Sequence, residues 1–199
     1  NAYLLTGIRG VGKTTTARLI AKALNCEKNN NSKIICSSEK FCPTCQEIIN
    51  SNHIDILEID AASKTGIDDV RELIENSKYR PTSAKFKIFI IDEVHMLSKQ
   101  AFNGLLKTLE EPPPSLKFIL ATTESRKIPV TILSRCQRFD LKRVSVDKLC
   151  EHLRNIANKE KGKISDDAIK LIARTSEGSV RDSISLLDRA LISQSINEN

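Results

Sequence analysis

Through about the first 140 residues, short apolar runs alternate with stretches in which apolar residues recur every three or four positions. The short runs read as buried strands, and the 3.6-residue period reads as helices laid against a sheet. Strands are expected at residues 2–5, 54–59, 86–91 and 116–121, with a weaker one at 137–141. Helices are expected between them at 13–25, 68–79, 99–110 and 130–134. The third of these must stop at EPPP, residues 111–114, because proline lacks an amide hydrogen and crowds the preceding turn. Past Arg143 the strand signals end, and three helical patterns follow at 146–161, 165–175 and 180–193. The pattern therefore predicts an α/β domain over 1–143, a parallel sheet wrapped by helices, and a small three-helix domain over 144–199.

Composition changes this picture little. Of the 199 residues, 40% are hydrophobic and 28% charged, and no apolar run is long enough to span a membrane. The opening NAYLLTGIRG has neither a basic leader nor a small-residue cleavage site, so a cytoplasmic location without membrane contact is expected. A net charge of +6 is compatible with a polyanionic partner. With two Tyr, six Phe and no Trp there is little to stack on bases, so contact with nucleic acid should go to the phosphate backbone.

Chemistry enters with GIRGVGKT, which fits GxxxxGK[ST] between an apolar strand and a helix. The candidate nucleotide-binding residues are Gly7, Ile8, Arg9, Gly10, Val11, Gly12, Lys13, Thr14 and Thr15. Loop amides can converge on phosphates, Lys13 can reach the β and γ oxygens, and the Thr14 hydroxyl can ligate Mg²⁺. KIFIIDE then places Asp92 at a strand's carboxyl end as the second Mg²⁺ ligand, with Glu93 as the base for an attacking water. The guanine-reading NKxD tetrapeptide is absent, which favours ATP over GTP.

Five blocks, GIRGVGKTTTARLIAKALNC, EIDAASKTGIDDVREL, IIDEVHMLSKQAFNGLLKTLEEPP, ATTESRKIPVTILSRCQRF and EGSVRDSISLLD, together resemble the gamma/tau family of bacterial DNA polymerase III subunits. That family supplies the ATP-driven motor of the sliding-clamp loader, within the AAA+ ATPases. The resemblance implies an AAA+ P-loop domain followed by a helical lid. It further implies an ATPase in a hetero-oligomer with other clamp-loader subunits, acting on the sliding clamp and primed DNA. By membership of the holoenzyme such a subunit is classed with DNA-directed DNA polymerases, although it does not polymerise. Contacts with the polymerase and helicase would lie in regions outside this sequence. Thr123 falls at the sensor-1 position, Arg135 in SRC at the arginine finger offered to a neighbouring subunit, and Arg181 in GSVRD at sensor 2. Lys64 and Thr65 fall where such subunits approach the DNA backbone. A different AAA+ motor or initiator would leave SRC, EEPP and the cysteines unexplained. A non-catalytic scaffold subunit would be expected to carry a degraded phosphate loop, and GKT is intact.

Cys42 and Cys45 form CxxC, and Cys26 and Cys36 lie near enough in sequence to complete a tetrahedral Cys₄ site. Reduced cytosolic thiols clustered in this way point to a metal rather than to disulfides. The resemblance implies a zinc insert at this place, residues 26–45, although the five residues SSEKF separate Cys36 from Cys42 where two are expected. Cys136 and Cys150 are isolated.

Overall fold

The computed structural model describes residues 2–28, 36, 41–63 and 67–197. Lys64 and Thr65 lie outside the described residues. Five strands, β1 (Ala2–Thr6), β2 (Ile56–Asp60), β3 (Lys87–Asp92), β4 (Leu116–Thr122) and β5 (Cys136–Asp140), form one parallel sheet. Their spatial order is β2-β3-β4-β1-β5. Helices α1 (Lys13–Asn25), α2 (Pro43–Ile49), α3 (Ile67–Ser77), α4 (Lys99–Glu110) and α5 (Val130–Leu133) fill the crossovers. This is the expected parallel α/β layout.

Burial follows strand position. Central β3 and β4 are almost wholly buried because both neighbours and both faces are occupied. Phe89 and Phe118 stand opposite each other in register and meet edge-to-face at 5.6 Å between ring centroids. The polar run CQRFD of β5 pairs only with β1 and is mostly exposed, which is why its apolar signal is weak. Ser98 caps α4 by accepting the Ala101 N–H, and the helix stops at Glu110 as EPPP requires.

Two departures have physical causes. The second strand begins at Ile56 rather than residue 54: Ile54 is 65% exposed, and Asp55 is diverted into a loop clamp. Its buried carboxylate accepts the N–H groups of Thr82, Ser83 and Ala84 at 2.8, 2.8 and 2.9 Å, fixing the chain ahead of β3. Helix α2, unexpected from the sequence, is a seven-residue segment with Pro43 in its first turn, where a missing amide hydrogen costs nothing.

The chain divides into two compact units, one of β1 and Lys13–Asp140, the other of Gly7–Gly12 and the chain from Leu141 onward. The first is built on Leu4, Phe89, Ile91, Leu105, Phe118 and Leu120. In the second, α6 (Val146–Lys159), α7 (Asp166–Thr175) and α8 (Val180–Asn197) close around Leu149, Leu153, Ile169, Ile172 and Leu187. Among the described residues no helix is long and apolar enough to cross a membrane.

Candidate nucleotide site and cysteine cluster

In a doubly wound sheet, ligand chemistry gathers at the carboxyl ends of the strands. Here β3 and β4 are adjacent and β1 is next, so Asp92, Thr122 and Thr6 end neighbouring strands. The first unit brings Lys13, Thr14, Asp92, Glu93 and Thr123 together. The Thr14 hydroxyl donates to Asp92 Oδ2, while Asp92 Oδ1 accepts the Glu93 N–H at 2.9 Å. Two hard oxygen donors in direct contact, half-buried, are the donor set that Mg²⁺ takes, so the residues fit that ion. Lys13 is 5% exposed, and its Nζ lies 4.0 Å from Glu93 Oε1.

Glu93 has φ 46° and ψ 44°, a left-handed backbone rarely adopted by a residue other than glycine. Its Oε2 accepts the Thr123 N–H at 3.1 Å and the Thr123 hydroxyl at 2.9 Å. A residue not singled out from the sequence stands behind it. His95 Nδ1 is hydrogen-bonded with the Thr122 hydroxyl at 2.9 Å and lies 3.4 Å from Glu93 Oε2. Its Nε2 is 3.7 Å from Glu124 Oε1. The letters DEVH held this histidine in view, but its placement depends on β3 and β4 being adjacent.

Within the second unit, the Gly10 carbonyl accepts the N–H groups of Val180 and Arg181 at 3.0 and 3.2 Å. Gly10 has φ +76°, and a Cβ there would come 2.2 Å from Ser179 Oγ and 3.1 Å from Arg181 Cβ, so only glycine fits. Arg181 thus stands directly beside the loop Gly7–Gly12. Gly12, at φ +99°, keeps the chain left-handed just before α1. Ile8 and Val11 are half-buried, and Arg9 and Thr15 are exposed.

Arg135 lies apart from these groups in the contacts it makes. It follows α5, donates to the Thr131 carbonyl at 2.6 Å and pairs with Glu110 at the end of α4.

The four cysteines expected to bind metal converge despite their spacing. The Sγ atoms of Cys26, Cys36, Cys42 and Cys45 all lie within 4.8 Å of one another and are buried, with Phe41 packed against them. Cys26 and Cys36 are 3.4 Å apart at sulfur, and none of the four is disulfide-bonded. A tetrahedral zinc with Zn–S of about 2.3 Å needs sulfurs about 3.8 Å apart, so the cluster fits that ion. Burial pushes the Cys45 thiol up. Burial opposes ionisation of Cys26 too, but hydrogen bonds from Cys36 outweigh it and draw that thiol down to about 7. Cys26 is thus readier to ionise than Cys45, and a bound cation would favour the thiolate form throughout the cluster.

Comparison with protein-family models finds two matches that together span most of the chain. The family "DNA polymerase III, delta subunit" matches residues 1–145, and "DNA polymerase III clamp loader subunit, ATPase lid domain" matches residues 148–195. Over 97% of its length the chain is 50% identical to DNA polymerase III subunit tau of Escherichia coli (strain K12), spanning 29% of that protein. It is 53% identical to subunit gamma/tau of Mycoplasma genitalium over 95% of its length, spanning 31% of that protein. The chain therefore spans about a third of these relatives. Among solved structures, the Thermotoga maritima RuvB Holliday junction branch migration motor matches 95% of this chain and 53% of its own, with a TM-score of 0.65 at 23% identity. That likeness is one of fold, the AAA+ fold. Its sequence blocks, its fold and these matches agree: the chain belongs to the clamp-loader family of DNA polymerase III, in the gamma/tau branch.

Proposed function

We propose that this chain is the ATP-hydrolysing motor segment of a bacterial clamp loader, acting in the cytoplasm to place a sliding clamp on primed DNA. The observation that carries the reading is the meeting of Thr14 with Asp92, beside buried Lys13 and with Glu93 one residue on. Binding and hydrolysis need different groups, and this arrangement contains both. By the GxxxxGK[ST] motif the amides of residues 7–12 and the Lys13 ammonium take the phosphates of ATP, and within the second unit Arg181 stands beside Gly10 of that loop. Thr14 and Asp92 hold Mg²⁺, which supplies charge neutralisation on the phosphate oxygens. Glu93 accepts the proton of the attacking water as the phosphoanhydride is cleaved, and Thr123, bonded to Glu93 at rest, couples that carboxylate to the end of β4.

Arg135 contributes to a neighbouring subunit's site rather than its own, and the Cys₄ cluster holds a structural zinc. Other loader subunits, the clamp and the DNA backbone are its partners, with polymerase and helicase contacts made elsewhere in the full-length protein. Polymerase chemistry is no part of the proposal for this chain.

Calorimetric titration of the full-length protein with ATP and Mg²⁺, paired with turnover, tests the division of labour. Lys13→Ala should abolish ATP binding, whereas Glu93→Gln should bind ATP as the parent does and fail to hydrolyse it. Equal loss of binding in the two variants would sink the assignment of Glu93 as base.

A further inference from the structure

Glu93 is the group on which hydrolysis turns, yet its own backbone does not fix where its carboxylate points. A glutamate has three side-chain torsions, and this one sits on a left-handed backbone at the end of β3. One anchor and one wall define the place of Oε2. The anchor is Thr123, through both N–H and hydroxyl. The other face is closed by His95, 5% exposed, whose Nδ1 lies 3.4 Å from the same oxygen.

His95 is itself held from both ends. The Thr122 hydroxyl bonds Nδ1 at 2.9 Å and also accepts the Glu124 N–H at 3.0 Å, which fixes that hydroxyl in turn. Glu124 faces Nε2 at 3.7 Å and is paired on its outer side with Lys127. The ring is therefore wedged between the ends of β3 and β4, with a carboxylate on each side. Across the site, Lys13 Nζ stands 4.0 Å from Glu93 Oε1 and would draw a freed carboxylate towards the phosphate-binding lysine.

We propose that His95 is a positioning residue for hydrolysis, a wall that keeps the Glu93 carboxylate on Thr123 and away from Lys13. The inference rests on the reading of Glu93 as the base. A base displaced by about an ångström loses on the order of a hundredfold in rate while ground-state binding is little changed.

The test uses the full-length protein in its assembled loader. His95→Ala should lower kcat by about tenfold or more and leave the KM for ATP within about threefold. His95→Asn, whose amide reaches the place of Nδ1, should recover most of that loss, and melting curves should show both variants folded. A turnover in His95→Ala equal to the parent's, a loss of kcat and affinity together, or an Asn variant as slow as the Ala variant would overturn the proposal. A second readout needs no turnover. In the nucleotide-free full-length chain, the ring resonances of His95 should shift on Glu93→Gln, and an unmoved ring would show that the two side chains are not coupled. If the parent protein itself fails to hydrolyse ATP, the proposed function fails, and this second readout still tells whether the two side chains are coupled.

Discussion

Burial alone would push the Asp55 carboxyl up, but the N–H groups of Ser83, Thr82 and Ala84 more than offset it and hold the group below the ordinary carboxylate range. Its folded pKa is thus depressed relative to the unfolded chain, where an aspartate titrates near 3.9. The stability it contributes is fully present above that value and is lost as pH falls through the lower folded value. Asp55→Asn should therefore cost roughly 2 kcal/mol in urea unfolding at pH 7, because a charged acceptor of several backbone amides is lost. That gap should narrow when the comparison is repeated near pH 3. A gap that stays constant with pH would contradict the clamp. That Lys13, Thr14, Asp92 and Glu93 would meet was legible from their letters, because GxxxxGK[ST] after one strand and DE at the end of another put them at the same edge of a parallel sheet. His95 and Asp55 were not, since each acts through partners about 30 residues away that only the sheet brings near.

At the scale of elements, apolar runs marked β1, β3 and β4 most clearly because those inner strands are buried on both faces, while the exposed edge strand β5 left only a weak signal. Apolar periodicity missed α2, whose seven residues are too few for a periodic pattern and whose buried Cys45 and Ile48 pack locally. The same element shows why SSEKF does no harm to the cluster: Cys42 and Cys45 are fixed by the first turn of α2, and the longer spacer need only return Cys36 to them. Four buried thiols with their sulfurs all within 4.8 Å of one another form the ligand set of the zinc proposed for this cluster. Elemental analysis of the purified protein should find one zinc per chain. Cys42→Ser should lower the melting temperature while leaving ATP affinity near the parent's, and a metal-free protein of undiminished stability would rule the zinc out.

For the whole molecule, the proposed action across a subunit interface turns on Arg135, whose partners among the described residues are Thr131, Ser134 and Glu110 rather than Lys13, Thr14, Asp92 or Glu93. Arg135 spends its charge on Glu110 and a carbonyl at a partly exposed position, a pairing worth under about 1 kcal/mol and readily exchanged for a neighbour's phosphate. An assembled loader bearing Arg135→Ala should bind ATP yet lose on the order of a thousandfold in turnover. Adding subunits with Lys13→Ala but intact Arg135 should restore part of it, because such subunits can lend a finger but not a site. No recovery despite verified co-assembly would exclude action across the interface. The family is settled by sequence and fold, whereas the use of ATP to drive clamp loading is the central claim, and ATP turnover by the assembled loader measures it directly. With the full-length protein in place, turnover should rise when clamp and primed DNA are both present and vanish in Glu93→Gln. Turnover indifferent to clamp and DNA, or undiminished in Glu93→Gln, would contradict it.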